Sequence, residues 1–333
     1  MKKRFIKLSL AAIIISSLCI GSMATAKTLK ISHVRPQDTA IDKDLKWFSE
    51  TLKEVSGGKV KTKIYPASAL GDYTVVQERV GLGAVDMACQ PPASAADKRF
   101  QVVYFPYMVK NWAQAKKNYE PGAPLRKVVE DLYEKQNIHL LAAWPVYFGG
   151  IALNREPVAP GDPDGAKGIK LRVPPMKTFQ LMADNTGYLG TPIPFSDAFT
   201  AVQTGVVDGV IGSGAEGYYS SFRDVTKYYI PANTHFEVWY LIINKEYFDN
   251  MKEDQREKLV DVAAQFEQRR WDSAEADQAA NEKRLADYGA KIIPLSNEEI
   301  DAIADKVHKT VWPTVLNDVG VEWGQSVIDN IVE

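Results

Sequence analysis

The sequence GIKLRVP at residues 168–174, followed by PIPFSDAFTAVQTGVVDGV at residues 192–210, decides the predicted architecture. The first stretch has the alternation of a strand, and two prolines end it. The second contains a short amphipathic helix that stops at Gly205 before another strand. About one helix-length of chain separates the two stretches. This layout is typical of a binding cleft, and it contains no catalytic machinery.

One arginine lies at the carboxyl end of the first of these strands. The alternation places the apolar residues of 169–173 on one face and Lys170 and Arg172 on the other. Ligands of open α/β sheets bind outside the carboxyl ends of the strands, and a planar guanidinium matches a carboxylate or a sulfonate. Arg172 is therefore a candidate anion-binding residue. A surface arginine paired with an aspartate is the alternative that this pattern leaves open.

Residues 1–26 have the features of a secretory signal peptide. Basic residues precede an apolar run at 8–20, and Ala24-Thr25-Ala26 has the small-residue form of a cleavage site. The run is shorter than the ~20 residues of a spanning helix. A lipoprotein signal would use Cys19, but Leu18 stands where a small residue is expected. We expect cleavage after Ala26 and a periplasmic location.

Composition narrows the class of protein. The 333 residues are 45% hydrophobic and carry a formal net charge of −2, which becomes more negative when the basic signal peptide is removed. An acidic balance argues against nucleic acid or an anionic membrane surface as partner. Cys89 is the one cysteine beyond residue 26, so no intrachain disulfide is predicted. Stability must come from the core of one or two domains.

Strand-like and helix-like patterns alternate along the chain, which favours βαβ units with parallel sheets. Strands are predicted at 29–34, 60–65, 85–89, 138–144, 150–154 and 236–244, and helices at 41–55, 72–81, 112–136, 218–228 and 254–288. We predict two α/β lobes with several crossings. Lobe 1 is mainly residues 27–150, and lobe 2 is mainly residues 151–245, with the strand 236–244 in it. A helical C-terminal region, 246–333, packs across both lobes.

The common motifs of catalytic and metal sites do not occur in the sequence. The four histidines lie far apart, and there is no G-x-S-x-G turn. Residues 161–168 (GDPDGAKG) match neither a complete phosphate loop nor a complete calcium loop. We therefore predict no catalytic residue, no cofactor and no metal ligand, although metal assistance in ligand binding stays open.

Several short motifs follow one another in an order typical of a transport family. They are Lys167-Gly168-x-Lys170-x-Arg172-Val173-Pro174, Phe195-Ser196-Asp197-Ala198-Phe199, Ala201-Val202-Gln203-Thr204-Gly205 and Val207-Asp208-Gly209, together with Lys30-Ile31-Ser32-His33, Phe105-Pro106-Tyr107 and Leu153-Asn154-Arg155. The set resembles the extracytoplasmic solute-binding subunits of tripartite ATP-independent periplasmic (TRAP) transporters, the DctP-type family. The resemblance covers essentially the whole chain beyond residue 26.

The resemblance implies an α/β, two-lobed periplasmic binding-protein fold with crossing strands and a long C-terminal helix. It implies that the lobes close on an organic acid and that Arg172 clamps the acid group. The implied partners are the small four-helix and the large multi-spanning membrane subunits of the transporter. A cleft phenylalanine of the family falls at Phe195.

Two glycines depart from the pattern of sialic-acid-binding members. Those members carry a second arginine at the position of Gly149 and an asparagine at that of Gly212. A nine-carbon sugar acid is therefore not expected. Glycines let the backbone approach a ligand closely, so Gly212 is a candidate for binding the anion through a backbone amide.

Other candidate ligand contacts lie at strand ends, in loops or on predicted elements. They are Arg35, Gln90, Tyr218, Trp239, Glu216 and His235. Each has a structural alternative, since arginines and glutamines are commonly solvated, aromatic rings commonly pack in cores, and acids and histidines commonly cap or lie exposed.

The sequence thus predicts a ligand-capture protein without enzymatic activity. Its ligand is predicted to be a compact monoanion, either a short hydroxy- or keto-carboxylate or a sulfonate such as 2-hydroxyethanesulfonate (isethionate). Two other classes use similar scaffolds, namely a ligand-sensing subunit of a membrane receptor kinase and a secreted enzyme. An ABC-type binding protein shares the architecture but lacks the ordered motifs.

Overall fold

The computed structural model describes residues 27–331. The predicted signal peptide and its cleavage after Ala26 lie outside the described residues.

Strands and helices alternate through the described residues. The strands are β1 (Thr28–Ser32), β2 (Lys61–Tyr65), β3 (Met87–Gln90), β4 (Ile138–Phe148), β5 (Gly150–Leu153), β6 (Lys170–Val173), β7 (Leu189–Pro192), β8 (Gly209–Ser213), β9 (Tyr228–Ile230), β10 (Phe236–Asn244) and β11 (Lys291–Ile292). The helices are α1 (Ala40–Val55), α2 (Tyr73–Gly81), α3 (Trp112–Tyr119), α4 (Pro124–Glu134), α5 (Lys177–Asn185), α6 (Phe195–Gln203), α7 (Ala215–Gly217), α8 (Lys245–Asp249), α9 (Glu253–Asp287), α10 (Asn297–Thr310), α11 (Trp312–Val319) and α12 (Val321–Ile328). A 3₁₀-helix spans Lys98–Tyr104.

The first sheet has the strand order β2-β1-β3-β10-β4. β1 is parallel to β2 and β3, whereas β10 is antiparallel to both of its neighbours, β3 and β4. Helix α1 covers this sheet because Ile41, Leu45, Phe48 and Leu52 recur every three or four residues and form one fully buried stripe. Helix α2 begins where the Asp72 side chain accepts a hydrogen bond from the Thr74 N–H.

The second sheet has the order β11-β9-β5-β8-β6-β7. Its parallel strands β8, β6 and β7 are joined through α5 and α6, in the manner of βαβ units. Helix α6 ends at Gln203, and Gly205, the residue after its C-cap Thr204, has a φ of +75° that suits glycine. The stretch quoted first therefore forms the strand–helix–strand–helix–strand unit that its pattern predicts.

Two chain segments connect the sheets side by side. Gly149 joins β4 to β5, and residues 231–235 join β9 to β10. The Gly149 N–H donates to the His235 carbonyl at 2.8 Å, and the Thr234 N–H donates to the Gly149 carbonyl at 2.9 Å. The two crossings thus hydrogen-bond to each other and form a hinge between the lobes.

Helix α9 packs along β4, which is an edge strand of the first sheet. An edge strand leaves backbone groups that need partners. Side chains of α9 supply them: Glu267 accepts from the Ala143 N–H, Arg270 donates to the Pro145 carbonyl, and Gln278 accepts from the Phe148 N–H. The same helix contacts α1 and α7 and leads to β11, so it spans both sheets.

The α/β composition, the two sheets, the crossing strands and the long helix predicted at 254–288 are confirmed. Three predictions are wrong. The strand at 236–244 forms where expected but pairs in the first sheet, because the hinge returns the chain between β3 and β4. The helix predicted at 218–228 is a π-turn at Tyr218–Phe222 and a 3₁₀-turn at Arg223–Val225, after which the aromatic and β-branched residues of β9 pair in the sheet.

The helix predicted at 112–136 is divided into α3 and α4. Gly122 has a φ of +82°, and Pro124 stands in the first turn of α4. A glycine with positive φ and a proline at a helix start separate helices rather than continue one.

The hinge accepts only glycine at position 149. A Cβ atom there would lie 2.3 Å from the His235 ring and 2.6 Å from the Thr234 hydroxyl. Gly149→Ala is expected to lower the free energy of unfolding by about 1–3 kcal/mol, the usual range for overpacking, measured by urea denaturation. Gly190→Ala is the comparison: its Cβ atom would lie 3.2 Å from the nearest neighbour, a tight contact that needs a smaller shift, so a smaller loss of stability is expected. Equal stability of the two variants would contradict the close approach of the crossings.

Candidate functional site

A small cavity lies between the two sheets and is lined from both lobes. The space that the centre of a water molecule can occupy inside it is about 30 Å³. The lining residues are Val34, Arg35, Tyr73, Pro91, Tyr104, Tyr147, Arg172, Pro174, Met176, Phe179, Phe195, Gly212, Ser213, Glu237 and Trp239. Several follow the carboxyl ends of β1, β3, β6 and β8, which is the ligand-binding edge of open α/β sheets.

Arg172 lies at the end of β6 and is only 1% exposed. Its Nε donates to the Ile193 carbonyl at 2.8 Å, and its guanidinium lies 5.8 Å from the centre of the Phe195 ring. Within residues 27–331 it forms no ion pair with a carboxylate. Burial lowers the pKa of Arg172 because the charged form is poorly solvated there. An anion in the cavity would offset that cost.

Arg35 follows β1 and is also buried. Its guanidinium lies between the rings of Phe195 and Trp239, at 4.8 and 4.9 Å from their centres. Its Nε donates to Glu216 Oε2 at 2.9 Å. Burial opposes the charge, but Glu216, Tyr147 and Glu237 together outweigh this effect, and the pKa of Arg35 is raised. The Nη2 atom has no hydrogen-bond partner in the described part of the chain.

The lobes meet through polar contacts at the cavity rim. Arg35 belongs to the first lobe, and Glu216 belongs to α7 of the second, so their ion pair bridges the cleft. Asp72, at the start of α2, accepts from the Ser196 N–H at 3.2 Å. Ser196 is in the first turn of α6, where the unpaired N–H groups favour a carboxylate. These contacts hold Phe195 against both arginines.

Glu237 is a cavity-wall residue that the sequence analysis missed. It is 4% exposed, and its Oε1 accepts from Trp239 Nε1 at 2.7 Å. Its Oε2 lies 3.1 Å from His235 Nε2, and Tyr104 Oη lies 3.5 Å from Oε1. The available signal was a single charge in the strand FEVWYLIIN, whose nine residues are all buried. A buried charge of this kind is uncommon without a specific partner.

Gly212 contributes backbone only, for two reasons. Its φ is +88°, and a Cβ atom would lie 2.4 Å from Pro174 Cγ. A side chain at this position therefore does not fit between β8 and the turn after β6. Together with Gly149, this accounts for both departures from the sialic-acid-binding pattern by steric constraint.

The cavity brings together five of the nine predicted contacts: Arg172, Phe195, Arg35, Trp239 and Gly212. It does not include the other four in its lining. Gln90 donates to the Tyr73 carbonyl at 2.8 Å, and the Tyr218 hydroxyl donates to the carbonyls of Gly150 and Val210.

The remaining two predicted contacts, Glu216 and His235, lie directly behind residues that line the cavity. Glu216 holds Arg35, and His235 contacts Glu237 and the Thr234 hydroxyl. They can act on a ligand through the residues that they position.

The tyrosines Tyr73, Tyr104 and Tyr147 were also missed. Burial raises the pKa of each phenol, so all three are neutral groups at physiological pH. They supply apolar ring surface with a polar tip, which suits a small polar ligand. No sequence signal separates these tyrosines from those of the core.

A larger cavity of about 520 Å³ opens on the outer side of Glu216. Two of its charged side chains, Arg270 and Asp277, form an ion pair with each other, and Glu216 pairs with Arg35 on the other side. Over residues 27–331, no group of three acidic, cysteine or histidine side chains is arranged to hold a metal ion. In the same part of the chain, no helix has the length and apolar character needed to cross a membrane.

Two α/β lobes joined by crossing strands, with a small buried cavity between them, define the architecture of a solute-binding protein. Residues 31–315 match the DctP family, described as bacterial extracellular solute-binding protein, family 7. The chain therefore belongs to the DctP family of TRAP solute-binding proteins, as the motifs predicted.

Individual relatives agree with this assignment. The C4-dicarboxylate-binding periplasmic protein DctP of Rhodobacter capsulatus is 27% identical over 252 residues, which cover 75% of this chain and 74% of that protein. A solute-binding protein of Albidiferax ferrireducens is 28% identical over 87% of this chain and 88% of its own. The crystal structure of the sugar acid binding protein DctPAm from Advenella mimigardefordensis, in complex with galactonate, has a TM-score of 0.84 at 23% identity. It covers 92% of this chain and 97% of that one. The predicted fold class is confirmed.

The buried pair between Arg35 and Glu216 is expected to hold the lobes together. Glu216→Gln would leave the Arg35 charge unpaired in the closed form at a cost of about 3–5 kcal/mol, which shifts the closed–open ratio more than about a hundredfold. We expect a larger radius of gyration for this variant in small-angle X-ray scattering. Lys283→Ala, which removes an exposed ion pair with Asp287, is the control and is expected to change nothing. Equal radii for Glu216→Gln and the wild type would show that the pair does not hold the free protein closed.

Proposed function

We propose that this protein captures a small organic anion in the periplasm and delivers it to the membrane subunits of a TRAP transporter. The observation that carries the proposal is the buried guanidinium of Arg172, which faces the interlobe cavity without a carboxylate partner in the described residues. A buried charge is costly until an opposite charge pairs with it. The bound acid supplies that charge.

The relatives support an acid as the ligand. The Rhodobacter capsulatus protein is named for C4-dicarboxylate binding, and the Advenella mimigardefordensis structure holds galactonate. The cavity here is small, and a side chain is excluded at Gly212 in its lining. We therefore infer a short acid, either a hydroxy- or keto-carboxylate or a sulfonate such as 2-hydroxyethanesulfonate.

Each contact has a distinct role in capture. Arg172 forms the charge-assisted hydrogen bonds to the acid group. Phe195 and Trp239 cover the ligand with apolar surface, and the free Nη2 of Arg35 and the backbone at Gly212 are further donors. Because these groups come from both lobes, a ligand that touches all of them stabilises the closed form.

Delivery requires that closure be reversible. The hinge consists of single backbone hydrogen bonds between Gly149 and residues 234–235, and the rim is closed by few polar contacts. Such a boundary can open without disturbing either sheet. Signal-peptide cleavage after Ala26 and the periplasmic location belong to this proposal.

The test is a thermal-shift and calorimetric screen of residues 27–333 against short carboxylates, sugar acids, amino acids and alkyl sulfonates. A ligand at about 100 times its Kd adds about 2.7 kcal/mol of stability, which is readily detected. Arg172→Met is expected to weaken binding by about 2–5 kcal/mol, because a buried charge pair is lost. Without ligand, the same variant is expected to keep or raise its melting temperature, since an unpaired buried charge is removed.

Lys170→Ala is the matched control. Lys170 lies on the same strand but is exposed, so its loss is expected to leave ligand affinity unchanged. If no acid stabilises the wild type, or if Arg172→Met responds as the wild type does, the proposed function is wrong.

A further inference from the structure

The cavity wall contains a carboxylate as well as the two guanidinium groups. Glu237 lies on β10 with Trp239, two residues apart and therefore on one face of the strand. Its charge acts on three cavity tyrosines and on Arg35, because it contributes to the pKa shifts of all four groups. A carboxylate in a site that binds acids repels an anion unless the ligand offers it a hydrogen-bond donor.

The four buried charges of the cavity sum to zero, but they are not all paired within the protein. Arg35 is neutralised by Glu216. Arg172 has a carbonyl and an aromatic ring as neighbours, and Glu237 has an indole, a phenol and the His235 imidazole. No ion pair joins Arg172 to Glu237 anywhere in the described chain. One positive and one negative group are therefore left to the ligand.

The Glu237 carboxylate is held in place yet not saturated. Its three described contacts come from Trp239, Tyr104 and His235. An ionised carboxylate has about four acceptor positions. One acceptor position is left for a hydrogen-bond donor on a ligand in the cavity. The three neighbours fix the orientation of the Glu237 carboxylate before the ligand binds.

We propose that Glu237 is a second ligand-binding group, which accepts a hydrogen bond from a hydroxyl or ammonium group on the acid held by Arg172. The inference rests on the proposed function and narrows its ligand class. Short acids with a hydroxyl or amino substituent satisfy both charged groups. Keto acids and dicarboxylates present an acceptor or a second negative charge to Glu237, and unsubstituted acids leave its free position unpaired.

Matched ligands test this directly. Calorimetry would compare 2-hydroxyethanesulfonate, 2-aminoethanesulfonate and ethanesulfonate, with lactate, alanine, pyruvate and propionate as the carboxylate series. The wild type is expected to bind a donor-bearing member of one series at least tenfold more tightly than the member without a donor.

Glu237→Gln separates the two kinds of donor. A glutamine oxygen still accepts from a hydroxyl, so the affinity for a hydroxy acid is expected to fall less than about tenfold. An ammonium ligand loses its opposite charge and is expected to weaken about a hundredfold or more. Ethanesulfonate and propionate are expected to bind this variant as well as the wild type or better, because a repelling charge is gone.

Glu267→Gln is the control for a purely structural role. Glu267 is also buried, accepts from the indole of Trp271 and lies outside the cavity lining. This substitution is expected to lower stability without changing the relative affinities for the ligands.

Three outcomes would overturn the inference. The first is equal wild-type affinity for acids with and without a donor, and the second is an equal loss of affinity for all acids in Glu237→Gln. Either would show that Glu237 only positions its neighbours. A loss of affinity in Arg172→Met would still leave the proposed function intact. Absence of binding by every acid would overturn the proposed function together with this inference.

Discussion

The guanidinium of Arg172 is almost completely removed from solvent, and the protein surrounds it with a carbonyl and an aromatic ring rather than a carboxylate. Arg35, on the other side of the cleft, has the opposite arrangement, with Glu216 as a permanent partner. The two arginines therefore have different tasks. Under the proposed function, Arg35 contributes to closure of the empty protein, whereas Arg172 is stabilised by the bound anion.

The two lobes must be positioned accurately when they close, and a small number of contacts in the fold is available to do this. The crossings pair at Gly149, and α9 provides hydrogen bonds to the outer edge of β4 up to the residue before the hinge. The outer edge of β4 is thereby hydrogen-bonded up to the crossing, and a hinge motion between the lobes would be absorbed in the crossings. The ion pair and the Asp72 contact at the rim then determine how far the lobes close.

The sequence predicted most of the elements and placed Arg172 at the end of a strand, and the reasons are local. Period and turn residues locate β6, α6 and α9, and the prolines after β6 place Arg172 at a strand end. The sheet that contains β10 could not be predicted, because pairing with β3 and β4 depends on a hinge formed by residues distant in sequence. Glu237 could not be separated from ordinary polar residues until β10 was known to be buried on both faces.

The glycines around the cavity show where ligand selection can be encoded. Cβ atoms at Gly149, Gly212 and Gly217 would lie 2.3, 2.4 and 2.5 Å from His235, Pro174 and Arg35. Of these three positions, Gly212 lines the cavity, and larger side chains at any of the three would displace a neighbour. We therefore infer that selection among small acids depends on Glu237 and Trp239, the wall residues of β10. A scaffold of this kind keeps one anchor for the acid group and varies the opposite wall, so related proteins can recognise different acids with the same closing motion.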